Sequence, residues 1–245
     1  MRILGIIPAR FASTRFPGKP LADIGGKSMI RRVYEQCKKC SSLSRVVVAT
    51  DDERIAAHVK EFGEVILTAA EHPSGTDRCR EALSRIGESF DYVINIQGDE
   101  PFINPSQIDL LAGLLNGKTE LATLAKVITE ERQLQDPNVV KVVTDKNGAA
   151  LYFSRNPIPY QRSAGGQEWH CLFGYKKHIG IYAYRTDILE QITKLPVSPL
   201  EQSESLEQLR WLENGYRIQV GLTDLETAGI DTPEDLERAI QNLAQ

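Results

Sequence analysis

Short apolar runs alternate along the first hundred residues with stretches whose apolar positions recur at helical spacing, and this alternation limits the possible folds more than any other feature. Ile3 to Ile7, Arg45 to Thr50 (RVVVAT), Val65 to Leu67 and Tyr92 to Ile96 read as four strands. Between them, Met29, Ile30, Val33, Tyr34 and Cys37 fall on one helix face. Ile55, Ala56, Val59 and Phe62 fall on another that stops at Gly63, and a third helix covers about Arg78 to Ile86. Asp51 stands where a cap would open the second helix. The continuous β-branched run in RVVVAT suits a strand buried on both faces, and helical connections of this length imply right-handed crossovers and a parallel sheet. The expected class is therefore α/β, a Rossmann-like, mostly parallel sheet flanked by helices.

The second half changes character. Val139 to Val143 and Ala150 to Ser154 flank Asp145 to Gly148 (DKNG) and read as a hairpin, with Asn-Gly supplying the positive φ angles of its turn. Ile179 to Tyr184 reads as a further strand. Residues 161 to 177 (QRSAGGQEWHCLFGYKK) are polar, glycine-rich and aperiodic, the pattern of a long loop able to move. No linker or repeat interrupts the chain. One domain over residues 1–245 with a smaller mixed β subdomain is the simplest division.

Ligands bind parallel sheets beyond the carboxyl ends of the strands. Three polar segments lie there: PARFASTRFPGKPL (Pro8 to Leu21), HPSGTDR (His72 to Arg78) and QGDEP (Gln97 to Pro101). The net charge of −4 and the pI near 5.7 leave no basic face for nucleic acid. Yet the first twenty residues hold Arg2, Arg10, Arg15 and Lys19 without a single acid, so an anion can be met locally. No apolar stretch is long enough to span a membrane and the opening lacks a signal-peptide pattern, so a cytoplasmic protein is expected. Cys37 and Cys40 have the C-x-x-C spacing but lie on a helical pattern with no second pair, which favours packing over zinc or redox chemistry.

A strand, a loop and then a helix is the layout of a phosphate-binding turn, but two familiar versions fail here. A Walker A loop ending at Gly26, Lys27 and Ser28 would need glycine where Leu21 stands, and Gly18 and Lys19 precede Pro20 instead of Ser or Thr. A dinucleotide fingerprint has only Gly18, Gly25 and Gly26 to draw on. What remains is a loop stiffened by Pro8, Pro17 and Pro20 with Arg10, Arg15 and Lys19 at its polar points. Guanidinium forks together with a compact ammonium suit a triphosphate, whereas the plain alternative is a solvated basic loop.

That loop, followed in order by ATDD, HPSGTDR, INIQGDEP, ALYFSRNPIPY, KHIGIYAY, EQSESLEQLR and GIDTPEDL, resembles the 3-deoxy-manno-octulosonate (KDO) cytidylyltransferase family from Ile3 to about Leu236. The resemblance implies a nucleotide-diphospho-sugar transferase fold. Residues of about 1–130 would form the nucleotide-binding half, about 131–225 the sugar-binding and dimerisation region, and 226–245 a helix packing back on the first half. It further implies CTP and KDO as substrates, CMP-KDO and pyrophosphate as products for lipopolysaccharide or capsule synthesis, Mg2+ as cofactor, and a homodimer. An amino-substituted KDO or a sialic acid is the alternative acceptor, and a non-catalytic nucleotide sensor the rival from another class.

Carried over residue by residue, the resemblance gives Arg10, Arg15 and Lys19 to the phosphates, with Arg15 and Lys19 where charge builds during transfer. It gives Asp99 and Asp231 to the metal. Pro8, Ala9, Arg10, Ser74, Gly75 and Gln97 would read the cytosine, and Gln97, Arg155, His178, Tyr182, Glu204, Glu207 and Gln208 the sugar acid. Read alone, Asp99 is a turn former, Asp231 is equally a helix cap, Arg155 a surface partner, Tyr182 strand core and His178 a structural histidine. Glu204, Glu207 and Gln208 have spacings that one helix face could present together.

Overall fold

The computed structural model describes residues 1–12, 16–164, 168–226 and 229–243. In chain order the first half runs β1 (Ile3–Ala9), α1 (Met29–Cys37), β2 (Arg45–Thr50), α2 (Glu53–Val59), β3 (Val65–Leu67), α3 (Gly75–Ile86), β4 (Tyr92–Asn95) and α4 (Pro105–Gly113). The second half runs β5 (Leu121–Val127), α5 (Glu131–Gln135), β6 (Lys141–Thr144), β7 (Ala150–Ser154), β8 (Lys176–Arg185), α6 (Thr186–Ile192), α7 (Pro199–Glu204), α8 (Glu207–Glu213), β9 (Ile218–Leu222) and α9 (Pro233–Leu243). The chain divides into two compact units, Met1–Ala112 with Thr227–Gln245, and Gly113–Glu226.

In the first unit β1 pairs in parallel with β2 on one side and with β4 on the other, and β3 extends β2, also in parallel. The strand order is thus β3-β2-β1-β4, and every pairing in it is parallel, as the alternation of apolar runs and helices implied. Leu4, Ile6, Ile7, Val47, Val48 and Ala49 have no solvent exposure, because helices cover both faces of a sheet built by crossovers. Met29, Ile30, Val33 and Cys37 form the buried stripe of α1. Ser28 caps that helix through Arg31 N–H.

One capping residue differs from expectation. Asp52, not Asp51, accepts from Arg54 N–H and Ile55 N–H at the start of α2, while Asp51 turns towards Arg78. Cys37 and Cys40 pack as buried thiols, and burial pushes Cys40 up to about 12, far from the range of a reactive thiolate.

The second unit is mixed: β5 is antiparallel to β8 and parallel to β9, and β6 and β7 form an antiparallel hairpin whose β6 touches β8. The hairpin turn uses one positive φ, not two. Gly148 sits at φ 80, Asn147 does not, and the Asp145 carboxylate accepts from Asn147 N–H and Ala149 N–H instead. A side chain that bonds its own backbone in this way turns the chain without a left-handed asparagine, at the expense of a register shift beside Thr144.

Candidate active site

The first unit gathers its polar side chains at the carboxyl ends of β1 and β4. Gly18, at φ 71, turns the loop back so that its N–H donates to Phe11 O at 2.9 Å, and Pro20 fixes the single 3-10 turn Lys19–Leu21. Lys19 leaves that turn and sets Nζ 2.8 Å from Asp99 Oδ2 and 3.1 Å from Asp231 Oδ1. Its side chain is only 14% exposed, so both ion pairs are partly shielded from water. The two aspartates come from segments more than a hundred residues apart. Backbone joins them, since Ile230 N–H donates to Asp99 O at 2.9 Å.

Asp231 is not the cap of α9. Thr232 Oγ1 accepts from Asp235 N–H, and the Asp235 carboxylate reaches back to Asp231 N–H and Thr232 N–H. Threonine with an acid three residues on closes the helix end without the Asp231 carboxylate.

Asp99 is brought to this place by a backbone contact that only glycine permits. A Cβ on Gly98 would lie 2.6 Å from Pro8 O, so the QGDEP loop passes directly over the end of β1. At the neighbouring strand end Arg10 donates from Nη2 to His72 O at 2.6 Å, which ties the opening loop to HPSG. Ser74 caps α3: its hydroxyl accepts from Asp77 N–H at 3.2 Å and donates to Asp77 Oδ2 at 2.6 Å. The Ser74 hydroxyl is thereby engaged at the start of α3. Pro8 and Ala9 lie at the end of β1, Gln97 follows β4, and Arg15 lies outside the described residues.

Two residues beneath this edge escaped the sequence reading. Arg78 closes the HPSGTDR segment, is fully buried, sets Nη1 3.1 Å from Asp51 Oδ1 and donates to Thr68 Oγ1. It thereby ties the ends of β2 and β3 to α3. Its Nε and Nη2 have no hydrogen-bond partner among the described residues, and burial lowers its pKa. His72 pairs with Glu81, whose carboxyl burial would raise; hydrogen bonds from His72, Ala69 N–H and Arg85 outweigh this and hold it at about 2. The cue for both was the long polar motif itself, whose residues sequence reading had left without separate roles.

In the second unit, β8 carries His178 and Tyr182. The rings lie 5.2 Å apart, and His178 also meets the edge of Phe153. Thr123 Oγ1 donates its one proton to a β8 carbonyl, Ile181 O at 2.7 Å being the nearer, so it accepts from His178 Nε2–H at 3.0 Å. That assigns the proton to Nε2 and leaves Nδ1 as the acceptor nitrogen. Loss of hydration pulls His178 down to about 3, so the ring is neutral near pH 7. Tyr182 Oη is buried with no hydrogen-bond partner among the described residues, an arrangement that costs about 1 to 3 kcal/mol unless a ligand satisfies it.

Glu204, Glu207 and Gln208 do not share one helix face. Ser205, at φ 52, ends α7 after Glu204, and α8 begins at Glu207. A residue in the left-handed region cannot continue a helix, so the three residues flank a junction. Glu204 accepts from Ser154 Oγ at 2.7 Å and from Arg155 N–H at 2.9 Å. Arg155 returns from its guanidinium to Glu204 O, Pro137 O and Ser205 O. Lys141, fully buried, donates to Asp136 O at 2.9 Å, to Val139 O at 2.7 Å and to Arg155 O. This lysine was also missed from sequence, where it reads as an ordinary polar position of a hairpin. It makes Arg155 a held residue at every polar group of its backbone.

A family model described as cytidylyltransferase matches residues 4–218. The 3-deoxy-manno-octulosonate cytidylyltransferase of Cytophaga hutchinsonii is 57% identical over 238 residues, which cover 96% of this chain and 95% of that protein. The chain belongs to the 3-deoxy-manno-octulosonate cytidylyltransferase family. A second member, from Bacteroides thetaiotaomicron, is 57% identical over 244 residues, covering 98% of this chain and 97% of its own. A solved CMP:2-keto-3-deoxy-manno-octonic acid synthetase complexed with CTP shares the fold at a TM-score of 0.92 and 42% identity, covering 100% of this chain and 99% of that one. The 4-diphosphocytidyl-2C-methyl-D-erythritol synthase of Anaerococcus prevotii, at 14% identity and a TM-score of 0.64, shares the fold alone. Membership makes this chain a nucleotidyltransferase of the cytidylyl class.

Proposed function

We propose that this chain activates 3-deoxy-D-manno-octulosonate with CTP, releasing pyrophosphate and forming CMP-KDO for surface polysaccharide synthesis. The anomeric 2-hydroxyl of the sugar acid attacks the α-phosphorus in line. The new O–P bond forms as the bond to the β-phosphate oxygen breaks, and the hydroxyl proton passes to solvent. The observation that carries this reading is the convergence of Lys19, Asp99 and Asp231 on one point at the carboxyl edge of the first unit.

Arg10, Arg15 and Lys19 are the residues for the triphosphate, each supplying charge where the leaving pyrophosphate gathers it. Pro8, Ala9, Ser74, Gly75 and Gln97 are the base-reading positions. Mg2+ fits the two carboxylates, because it favours one or two protein carboxylates completed by phosphate oxygens and water. Asp99 and Asp231 would hold it, and it would supply counter-charge to the phosphates. The sugar acid falls to Arg155, His178, Tyr182, Glu204, Glu207 and Gln208. The Tyr182 hydroxyl, without a partner among the described residues, and the acceptor Nδ1 of His178 are groups a polyhydroxylated ligand satisfies.

Replacing Asp99 or Asp231 with Asn should lower turnover of CTP and KDO by at least about a hundredfold, measured as pyrophosphate release, with the circular-dichroism spectrum unchanged. Robust turnover in either variant would overturn the assignment. Running the assay with sialic acid and an amino-substituted KDO beside KDO tests the acceptor.

A homodimer formed through the second unit accompanies this reading, supported by the apolar Leu151 and Leu222 side chains left in solvent there. Sedimentation at assay concentration checks it. A cytoplasmic location also belongs to the proposal; among the described residues no helix is long and apolar enough to cross a membrane.

A further inference from the structure

We propose that Lys19 is a placeholder cation that makes divalent-metal binding at Asp99 and Asp231 conditional on the triphosphate. The inference rests on the reading that these two carboxylates hold the metal. One ammonium lies within ion-pair distance of both, 2.8 Å from Asp99 and 3.1 Å from Asp231. The carboxylates stay together without it, because the hydrogen bond from Ile230 N–H to Asp99 O joins their segments and the Thr232 and Asp235 cap sets the backbone at Asp231. Lys19 therefore offsets one of the two negative charges that the fold has placed around its ammonium.

A divalent ion entering between them meets a like charge at contact distance. It has to expel an ammonium whose side chain is only 14% exposed, and which has no other acid within ion-pair distance among the described residues. A triphosphate changes the balance, since its oxygens offer Lys19 new acceptors at the moment the metal takes the carboxylates. The four-carbon stem of lysine permits the move, whereas an arginine fork would stay locked on the carboxylates. By reciprocity the same coupling makes the metal improve nucleotide affinity.

The test is titration of the full-length protein with Mn2+ alone, followed by electron paramagnetic resonance of free Mn2+ and by calorimetry. Wild type should bind Mn2+ weakly without CTP, and Lys19→Met at least about tenfold more tightly, since an ammonium at this distance opposes a dication strongly. Adding CTP should tighten Mn2+ binding in wild type far more than in Lys19→Met. Unchanged or weaker Mn2+ binding by a folded Lys19→Met variant would overturn the placeholder role. The combined Lys19→Met, Asp99→Asn variant separates the two levels. If it binds Mn2+ as tightly as Lys19→Met alone, the metal assignment itself fails. If Lys19→Met shows no gain while Asp99→Asn abolishes CTP-dependent Mn2+ binding in the wild-type background, the assignment stands and the placeholder falls.

Discussion

Two glycines among the proposed nucleotide-binding segments look alike in sequence and differ in what they exclude. Gly98 has no room for a methyl group, its Cβ position being 2.6 Å from the backbone oxygen of Pro8. Gly75 has room, since its Cβ would meet Asn95 at 3.6 Å and Pro8 at 3.7 Å, ordinary contact distances. Gly98→Ala should therefore destabilise the fold by about 2 kcal/mol or more, seen in urea unfolding, because β1 or the QGDEP loop has to move. Gly75→Ala should unfold like wild type, and a loss of CTP affinity in that variant would support the proposed role of the Ser74 and Gly75 backbone in reading the base. Equal stability of the two variants would show that the close passage over Pro8 is not needed. Both glycines were legible in the sequence as members of polar motifs; their different reasons were not, because a close approach of two chain segments leaves no local pattern.

At the scale of elements, the alternation of apolar runs specified the four parallel strands of the first unit and the three helices that connect them, but not α4, with β2 and β3 bounded as the sequence indicated. It failed at junctions. The chain between α7 and α8 was read as one helical face, and the structure breaks it at Ser205 in the left-handed region. No glycine marks that break, which is why sequence reasoning passed over it. Ser205→Gly should be neutral or raise the melting temperature slightly, since glycine reaches this φ without cost, while Ser205→Val should cost about 1 kcal/mol or more. Thermal unfolding of the pair measures it; a destabilising glycine would mean that the serine side chain itself secures the junction. The strands β5 and β9 were also overlooked. Leu121–Val127 and Ile218–Leu222 lack the long β-branched runs of the first half and take their identity from pairing with each other and with β8.

For the whole molecule, two depressed titrations act in the same direction. His178 is neutral in the fold and accepts a proton near pH 6.5 once unfolded, so stability is complete above that pH and falls as pH drops towards 3. Glu81, held at about 2, contributes stability above about 4.5 that is lost as pH falls through 2. Urea midpoints should thus decline from pH 7 to pH 4, by less than about 1.4 kcal/mol per unit for the histidine, which retains some solvent contact. His178→Gln should flatten the decline between pH 6.5 and 5; an unaltered slope would exclude the ring as its source. What the sequence determined by itself was the α/β class, the parallel first half, and the polar motifs that carry the family likeness, because periodicity and motif order are local properties of a chain. Only the tertiary structure decided that Lys19 meets Asp99 and Asp231, that Arg78 and Lys141 are buried, and that the buried Tyr182 hydroxyl has no partner among the described residues. Those facts depend on which distant segments fold against each other and on how much water they exclude, and neither is written in the spacing of residues along the chain.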